Sequence, residues 1–379
     1  MNNHILTFRI ILFLFILQAM PVKAQTTLPK PDHIVIAILE NHGLSQIIGS
    51  KSAPYINALA NDTLSAFFTE SYAITHPSQP NYLLLYSGST QGVTDDLVPS
   101  GIPYTTDNLG RQLLDSGMTF ITYSEDLPRV GYNGELSGGY ARRHNPVTNW
   151  MGNGKNQVPV TTNKPLTTFP SDNFSQLPTV SFVIPNTSND MHDGTDPGKI
   201  AAGDKWISNK LDSYIKWSKA NNSLFILTFD EDDDFYYNHI TTIFTGKMIL
   251  AGQYPAKINH YSILHTIEKF YGLPVIGDSI NYLPITYCWK AISSIGLPVL
   301  RDSTTCLIYP NPVKSYLTIQ LSGYQGATAE MYNVNGRLLQ VNPLVSKETE
   351  LKTDDLGSGI YVLKIRSKDG VFIKKFIKN

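Results

Sequence analysis

The stretch HIVIAILENH, residues 33–42, is an apolar run with three isoleucines and a valine that breaks off at Glu40, Asn41 and His42. A run this short and this apolar reads as a strand buried on both faces, as in parallel sheets, with its polar residues at the C-terminal end. The same texture recurs at FITYSED (120–126), TVSFVIPN (179–186) and SLFILTFDED (223–232), and each run again stops at acids or amides. Helical patterns lie between and after them, at SAPYINALAND (52–62), NLGRQLLDSG (108–117), GDKWISNKLDSYIKWSKAN (203–221) and SILHTIEKFYG (262–272). In the third, Trp206, Leu211, Ile215 and Trp217 or Ser218 keep to one face. Alternating strands and helices imply an α/β fold on a mainly parallel open sheet. Ligands of such sheets bind outside the C-terminal strand ends, which is where this chain puts its acids.

Thirty Lys and Arg balance 31 Asp and Glu, so bulk charge signals neither a nucleic-acid binder nor a polybasic membrane protein. With 42% hydrophobic residues and 379 in all, the chain is globular and long enough for one boundary. Residues 1–24 read as a signal peptide: Arg9, then an apolar run from Ile10 to Leu17, then Val22-Lys23-Ala24 as the cleavage site. That run is too short for a span of about 20 residues, so a soluble mature chain without a transmembrane segment is expected outside the cytoplasm. Cys288 and Cys306 are the two cysteines, and export leaves open whether they pair or stay free.

Beyond Pro298 the pattern becomes short alternating strands: YLTIQLSG (316–323), AEMYNVNGRLLQ (329–340), GIYVLKIRSKDG (359–370) and VFIKKFIKN (371–379). Asn335-Gly336 and Asp369-Gly370 are hairpin signals. The expected organisation is a signal peptide at 1–24, a catalytic domain at 25–297 and a small all-β sandwich at 298–379. By itself the β module suits carbohydrate binding or adhesion equally well.

Four polar groups follow the strands: Glu40-Asn41-His42, the segment from Thr75 to Tyr82, Asn189 to Gly194, and Asp230-Glu231 with Asn238-His239. Gathered at one rim they would form a polar pocket. Clustered carboxylates are costly without a cation, and Glu40, Asn41, Asp230 and Glu231 offer oxygen ligands. Those favour a hard divalent ion such as Mg²⁺, Ca²⁺ or Mn²⁺, although carboxylate sites also hold Zn²⁺. Taken singly, Glu40-Asn41 reads as well as a helix cap, and 230–234 as a solvated acidic turn. Ser78 has prolines at 77 and 80, which hold its backbone out of a regular helix and fix its hydroxyl. It is either a nucleophile or a turn serine capping a helix that starts near Asn81. His192 and His239 are the better candidates for phosphate contact or for protonating a leaving group.

The motifs ENH (40–42), SAPYINALA (52–60), THPSQPNYLLLYSGSTQGVTDD (75–96), YSEDLP (123–128), YARRHNP (140–146), NDMHDG (189–194), LTFDEDD (227–233), NHITTIFTG (238–246) and NHYSILHTIEKFYGLP (259–274) occur in order. Together they resemble the bacterial phosphoesterase family of acid phosphatases and phospholipases C, with an alkaline phosphatase-like three-layer core. The resemblance implies one metal held by Glu40, Asn41, Asp230 and Glu231, with Ser78 as nucleophile also touching the ion. It places His192, His239 and Asp193 in the phosphate pocket, and His76, His144 and Asn81 beside the substrate. In the tail, IYPNPVKSYLTIQL, MYNVNGRLL and LGSGIYVLKIRSKDG resemble the C-terminal sorting domain of type IX secretion, whose partner is the outer-membrane export machinery.

The expectation is therefore a secreted, metal-dependent phosphomonoesterase working through a phosphoserine. The chain is too short for the inserts of longer phospholipase C relatives. A phospholipase C-type phosphodiesterase remains the second reading, and a catalytically silent surface-binding protein the third.

Overall fold

The computed structural model describes residues 28–290, 306–334, 337–367 and 370–379. The expected signal peptide, the turn residues Asn335-Gly336 and Asp369 lie outside them. The chain divides into two compact units, Met1–Ala291 and Ile292–Asn379.

The first unit is built on an eight-stranded sheet. Its strands are β1 (His33–Leu39), β2 (Ser65–Phe68), β3 (Phe120–Ser124), β4 (Asn163–Pro165), β5 (Val180–Ile184), β6 (Ser223–Phe229), β7 (Thr242–Thr245) and β8 (Gly252–Tyr254). They lie in the order β8-β2-β7-β6-β1-β5-β3-β4. All pairings are parallel except those of β7, which runs antiparallel to β2 and β6. The four long apolar runs form four adjacent parallel strands, β6, β1, β5 and β3. β2, β4, β7 and β8 have three or four residues each, too few to show a period in the sequence.

The strand β1 shows why the sheet has helices on both faces. Ile34, Ile36 and Ile38 pack into one core, while Val35, Ala37 and Leu39 pack into the other. Successive strand residues point to opposite sides, so an uninterrupted apolar strand needs an apolar layer on each. On the first side lie α2 (Ser78–Ser87), α3 (Leu109–Asp115) and α5 (His260–Tyr271), through Leu83, Leu85, Leu109, Leu113, Ile263 and Ile267. On the second lie α1 (Pro54–Ala60) and α4 (Gly198–Ala220), through Ile56, Leu59, Ile207, Leu211 and Ile215. The unit is a three-layer α/β structure.

Ser78 departs from expectation. It is the first residue of α2 rather than a residue held outside a helix, and Pro77 occupies the cap position. Prolines at 77 and 80 do not prevent this, because the first turn of a helix has no internal partners for its N–H groups. Every residue of α2 is buried. At its other end Gly88 adopts a left-handed φ of 66° and its N–H bonds Leu84 O at 2.8 Å.

The second unit contains two antiparallel sheets, of three and four strands, whose inner residues form one core including Leu317, Ile319, Met331, Leu363 and Phe376. Strands Cys306–Tyr309 and Glu348–Lys352 were not marked in the sequence patterns. Cys288 in the first unit and Cys306 in the second are each buried. Among the described residues no helix is long and apolar enough to cross a membrane.

Gly88 supplies the first test. A Cβ there would collide with the Ile276 carbonyl, and a non-glycine residue in left-handed backbone costs about 1–2 kcal/mol before any clash. Gly88→Ala is expected to lower the melting temperature by at least several degrees; an unchanged melting curve would mean that the α2 terminus is not constrained in this way.

Candidate active site

The C-terminal ends of β1 and β6 are neighbours, so Glu40 and Asp230-Glu231 leave the sheet side by side. The start of α2 brings Ser78 between them. Ser78 Oγ lies 3.0 Å from Glu40 Oε2 and 3.0 Å from Glu231 Oε1, so its one hydrogen faces two carboxylate acceptors. Tyr82, one helical turn after Ser78, donates to Glu40 Oε1 at 2.5 Å. Residues four apart on a helix share a face, and here both reach the same carboxylate. Asp230 Oδ1 accepts the backbone N–H groups of Asn41 and Glu231, at 3.1 and 2.7 Å. Asn41 makes this contact from left-handed backbone with φ 51°, which Asn tolerates better than most residues.

A second row backs the first. His144 is buried with its ring stacked on Tyr82, its Nε2 3.3 Å from Glu40 Oε1 and its Nδ1 3.2 Å from Asp190 Oδ2. Glu40, His144 and Asp190 offer ligand atoms all within 4.8 Å of one another, close enough for a metal. His76 Nδ1 lies 2.9 Å from Glu231 Oε2, and its Nε2 reaches Asp232 Oδ1 at 3.3 Å. His192 is half-buried, with Nδ1 2.8 Å from Asp193 Oδ1 and Nε2 3.3 Å from Arg143 Nη2. Its backbone N–H donates to Asp190 Oδ1 at 2.8 Å, which ties the 190–193 turn to the buried acids.

Two expected substrate groups are placed differently. His239 stacks on Tyr72, and its Nε2 is 2.8 Å from the Thr69 carbonyl, so its ring is already engaged by these two residues. The Asn81 amide accepts from Ile74 and Thr75 N–H and donates to the Thr75 carbonyl and Glu231 Oε2. Asn81 therefore fastens the lead-in to Ser78. The sequence reading assigned no role to Tyr82, Asp190 or Arg143. Tyr82 was visible as the i+4 partner of Ser78, and Asp190 as the acid two before His192; Arg143 carried no signal beyond its place in YARRHNP.

The electrostatics explain what the cluster requires. Glu40, Asp190, Asp230, Glu231 and Asp232 are each at most 4% exposed. Burial, with Asp230 next in effect, raises Glu40 well above the usual carboxylate range, and burial with Glu231 does the same to Asp230. Glu231 is pushed up to about 8 by burial and then by Glu40, while burial takes Asp190 to about 7. Burial pulls His144 down to about 4, so it supplies no positive charge near neutrality. Among the described residues Asp230 Oδ2 is buried without a hydrogen-bond partner, and Asp190 Oδ2 and His144 Nε2 have only the 3.2 and 3.3 Å contacts above, which lack hydrogen-bond geometry. A set of buried oxygens with orphaned lone pairs fits a divalent cation, which removes the repulsion that raises these pKa values.

A pH test follows. Between about 4.5 and 8 the folded, metal-free protein holds protons on Glu231 and its neighbours that the unfolded chain has released. Raising pH through that window therefore destabilises the metal-free fold. Melting temperatures of chelator-treated protein are expected to fall from pH 5 to 8, and a saturating divalent ion to flatten the slope. A flat metal-free profile would contradict the buried-acid assignment.

Residues 50–274 match the family described as the Phosphoesterase family, and residues 307–379 match the secretion system C-terminal sorting domain. The chain is 45% identical over 270 residues to a phosphatidylinositol-3-phosphatase of Mycobacterium tuberculosis, covering 70% of this chain and 85% of that one. It is 33% identical over 224 residues to a phosphate-repressible acid phosphatase of Penicillium chrysogenum, covering 55% of this chain and 52% of the relative, about half that protein's length. Among solved structures, a Vibrio parahaemolyticus protein of the alkaline phosphatase superfamily aligns at TM-score 0.48 and 14% identity, covering 92% of this chain and 80% of that one. With the family match spanning more than half the chain and the Mycobacterium relative 45% identical, the protein belongs to the phosphoesterase family of phosphoric ester hydrolases, and it carries a C-terminal sorting domain.

Proposed function

We propose that the protein is an exported phosphomonoesterase in which Ser78 is the nucleophile and lipid phosphomonoesters are among the substrates. The observation that carries this is the Ser78 hydroxyl at the start of a buried helix, 3.0 Å from one oxygen each of Glu40 and Glu231. Monoester rather than diester chemistry is supported by the relatives, named as a phosphatidylinositol-3-phosphatase and an acid phosphatase. Export to the cell surface or beyond rests on the sorting domain at 307–379.

In this mechanism Ser78 Oγ forms the new bond to phosphorus, its proton passes to a facing oxygen of Glu40 or Glu231, and the ester oxygen leaves as an alcohol. Ser78 is the first residue of a ten-residue helix, so attack occurs at the positive end of the helix dipole, where an anionic phosphate is favoured. Arg143 and His192 stand together beyond His144, and Arg143 supplies N–H groups for the phosphate oxygens. Asp193 accepts from His192 Nδ1, so Nε2 faces Arg143 as an acceptor; released from Arg143 and protonated, it would contact phosphate or protonate the leaving oxygen. Tyr82 and His144 orient Glu40, and His76 and Asn81 orient Glu231. A divalent ion bound by Glu40, Asn41, Asp230 and Glu231, with Ser78, would supply charge for the serine alkoxide and the phosphoryl oxygens. Water then cleaves the phosphoserine and restores the hydroxyl.

Ser78→Ala is expected to cut p-nitrophenyl phosphate turnover at least about a thousandfold, the loss typical of removing a nucleophile, with the melting curve retained. Full activity in that variant would remove the assignment. Parallel assay of p-nitrophenyl phosphorylcholine is expected to show little turnover, and preference for it would move the protein to the diesterase class.

A further inference from the structure

Two loops beside Ser78 expose large apolar side chains. In the loop after Glu231, Phe235 is 80% and Tyr237 96% exposed; in the loop before Pro99, Leu97 is 66% and Val98 46% exposed. Each loop is tied directly to the catalytic elements. Gln79, the residue after Ser78, donates from its side chain to the carbonyls of Asp95 and Leu97, at 2.9 and 2.7 Å, and from its backbone to Asp96 Oδ1. In the other loop, buried Asp232 accepts the N–H groups of Asp234, Tyr236 and Asn238 at 2.7–2.8 Å. His76 Nε2 adds contacts to Asp232 and Asp234 at 3.3 Å.

The aromatic loop is held in a costly shape. Asp234, Tyr237 and Asn238 have left-handed φ values of 69°, 57° and 58°. The Tyr236 ring lies over Gly43, where a Cβ would come within 2.8 Å of it, and so anchors the loop while Phe235 and Tyr237 project. Placing a tyrosine in left-handed backbone with its ring in water stabilises nothing inside the fold, and strain of this kind clusters where a surface has a task. Fixed aromatic and aliphatic groups on two loops bonded to the neighbours of Ser78 suit the boundary between lipid headgroups and acyl chains, where tyrosine rings are favoured. The rim beside them carries the exposed acids Asp95 and Asp234, so attraction to anionic lipid is not what drives the contact.

We infer that the Phe235–Tyr237 loop and the Leu97-Val98 loop form an interfacial surface that inserts into a lipid layer and presents Ser78 to headgroup phosphomonoesters. The inference rests on the phosphomonoesterase reading above for its substrate, but the surface can be tested apart from catalysis. Burying two aromatic side chains corresponds to at least about a tenfold change in partitioning.

The test compares the full chain with Phe235→Ser/Tyr237→Asn, asparagine being chosen because it tolerates left-handed backbone. Both are assayed on p-nitrophenyl phosphate, on water-soluble short-chain phosphatidylinositol 3-phosphate, and on the long-chain lipid in phosphatidylcholine vesicles. The double variant is expected to keep both soluble activities, to lose at least about tenfold on vesicles, and to co-sediment less with plain phosphatidylcholine vesicles. Leu97→Ser on the second loop should show the same pattern. Equal loss on the short-chain lipid would make the rings part of the substrate pocket and overturn the inference, as would undiminished vesicle turnover or a wild-type chain that does not co-sediment. Failure of the wild type on every phosphomonoester would sink the catalytic reading alone, since co-sedimentation reports on the surface without it.

Discussion

Repulsion among buried carboxylates is the constraint around which the catalytic unit is organised. Glu40, Asp190, Asp230 and Glu231 come from three strand ends and are nearly inaccessible to water, and the imidazole between Glu40 and Asp190, His144, is poorly protonated near neutrality. Left alone, such a group neutralises by holding protons, which would leave Ser78 facing weak acceptors. A divalent cation held there would resolve this, favouring the ionised acids and a more acidic serine hydroxyl. The buried Asp230 Oδ2, which has no hydrogen-bond partner among the described residues, marks where the protein has left that demand unmet by its own groups.

The rest of the unit supplies stiffness for that arrangement. The sheet fixes the separation of Glu40 from Asp230 and Glu231, because β1 and β6 pair in parallel register up to Leu39 and Phe229. The helix α2 is buried along its whole length, so Ser78 cannot shift without disturbing the core. Asn81 and His76 brace Glu231, while Tyr82 and His144 brace Glu40. Positioning of this kind matters because phosphoryl transfer depends on placement and electrostatics more than on covalent assistance from many groups.

Much of this was legible in the chain. The four apolar runs became adjacent parallel strands because unbroken β-branched sequence has no other low-cost place than a doubly covered sheet. Acids at the ends of those runs had to meet at one rim, since parallel strands all finish on the same side. The short strands β2, β4, β7 and β8 were silent, as three or four residues cannot display a period. Ser78 was misjudged locally: its prolines suggested a break, whereas a helix start accepts them.

What the sequence determined by itself was the layered α/β plan, the sorting module and the pool of polar residues at strand ends, because periodicity and motif order are properties of the linear chain. What only the tertiary structure decided was which members of that pool touch. His144 joined the buried acids and His239 turned to Thr69, although both are histidines beside other polar groups. Asn81 became a fastening, and Phe235 and Tyr237 were left in water. Those outcomes depend on distances between residues far apart in sequence, set by how strands register and how loops are tied, and no local pattern encodes them.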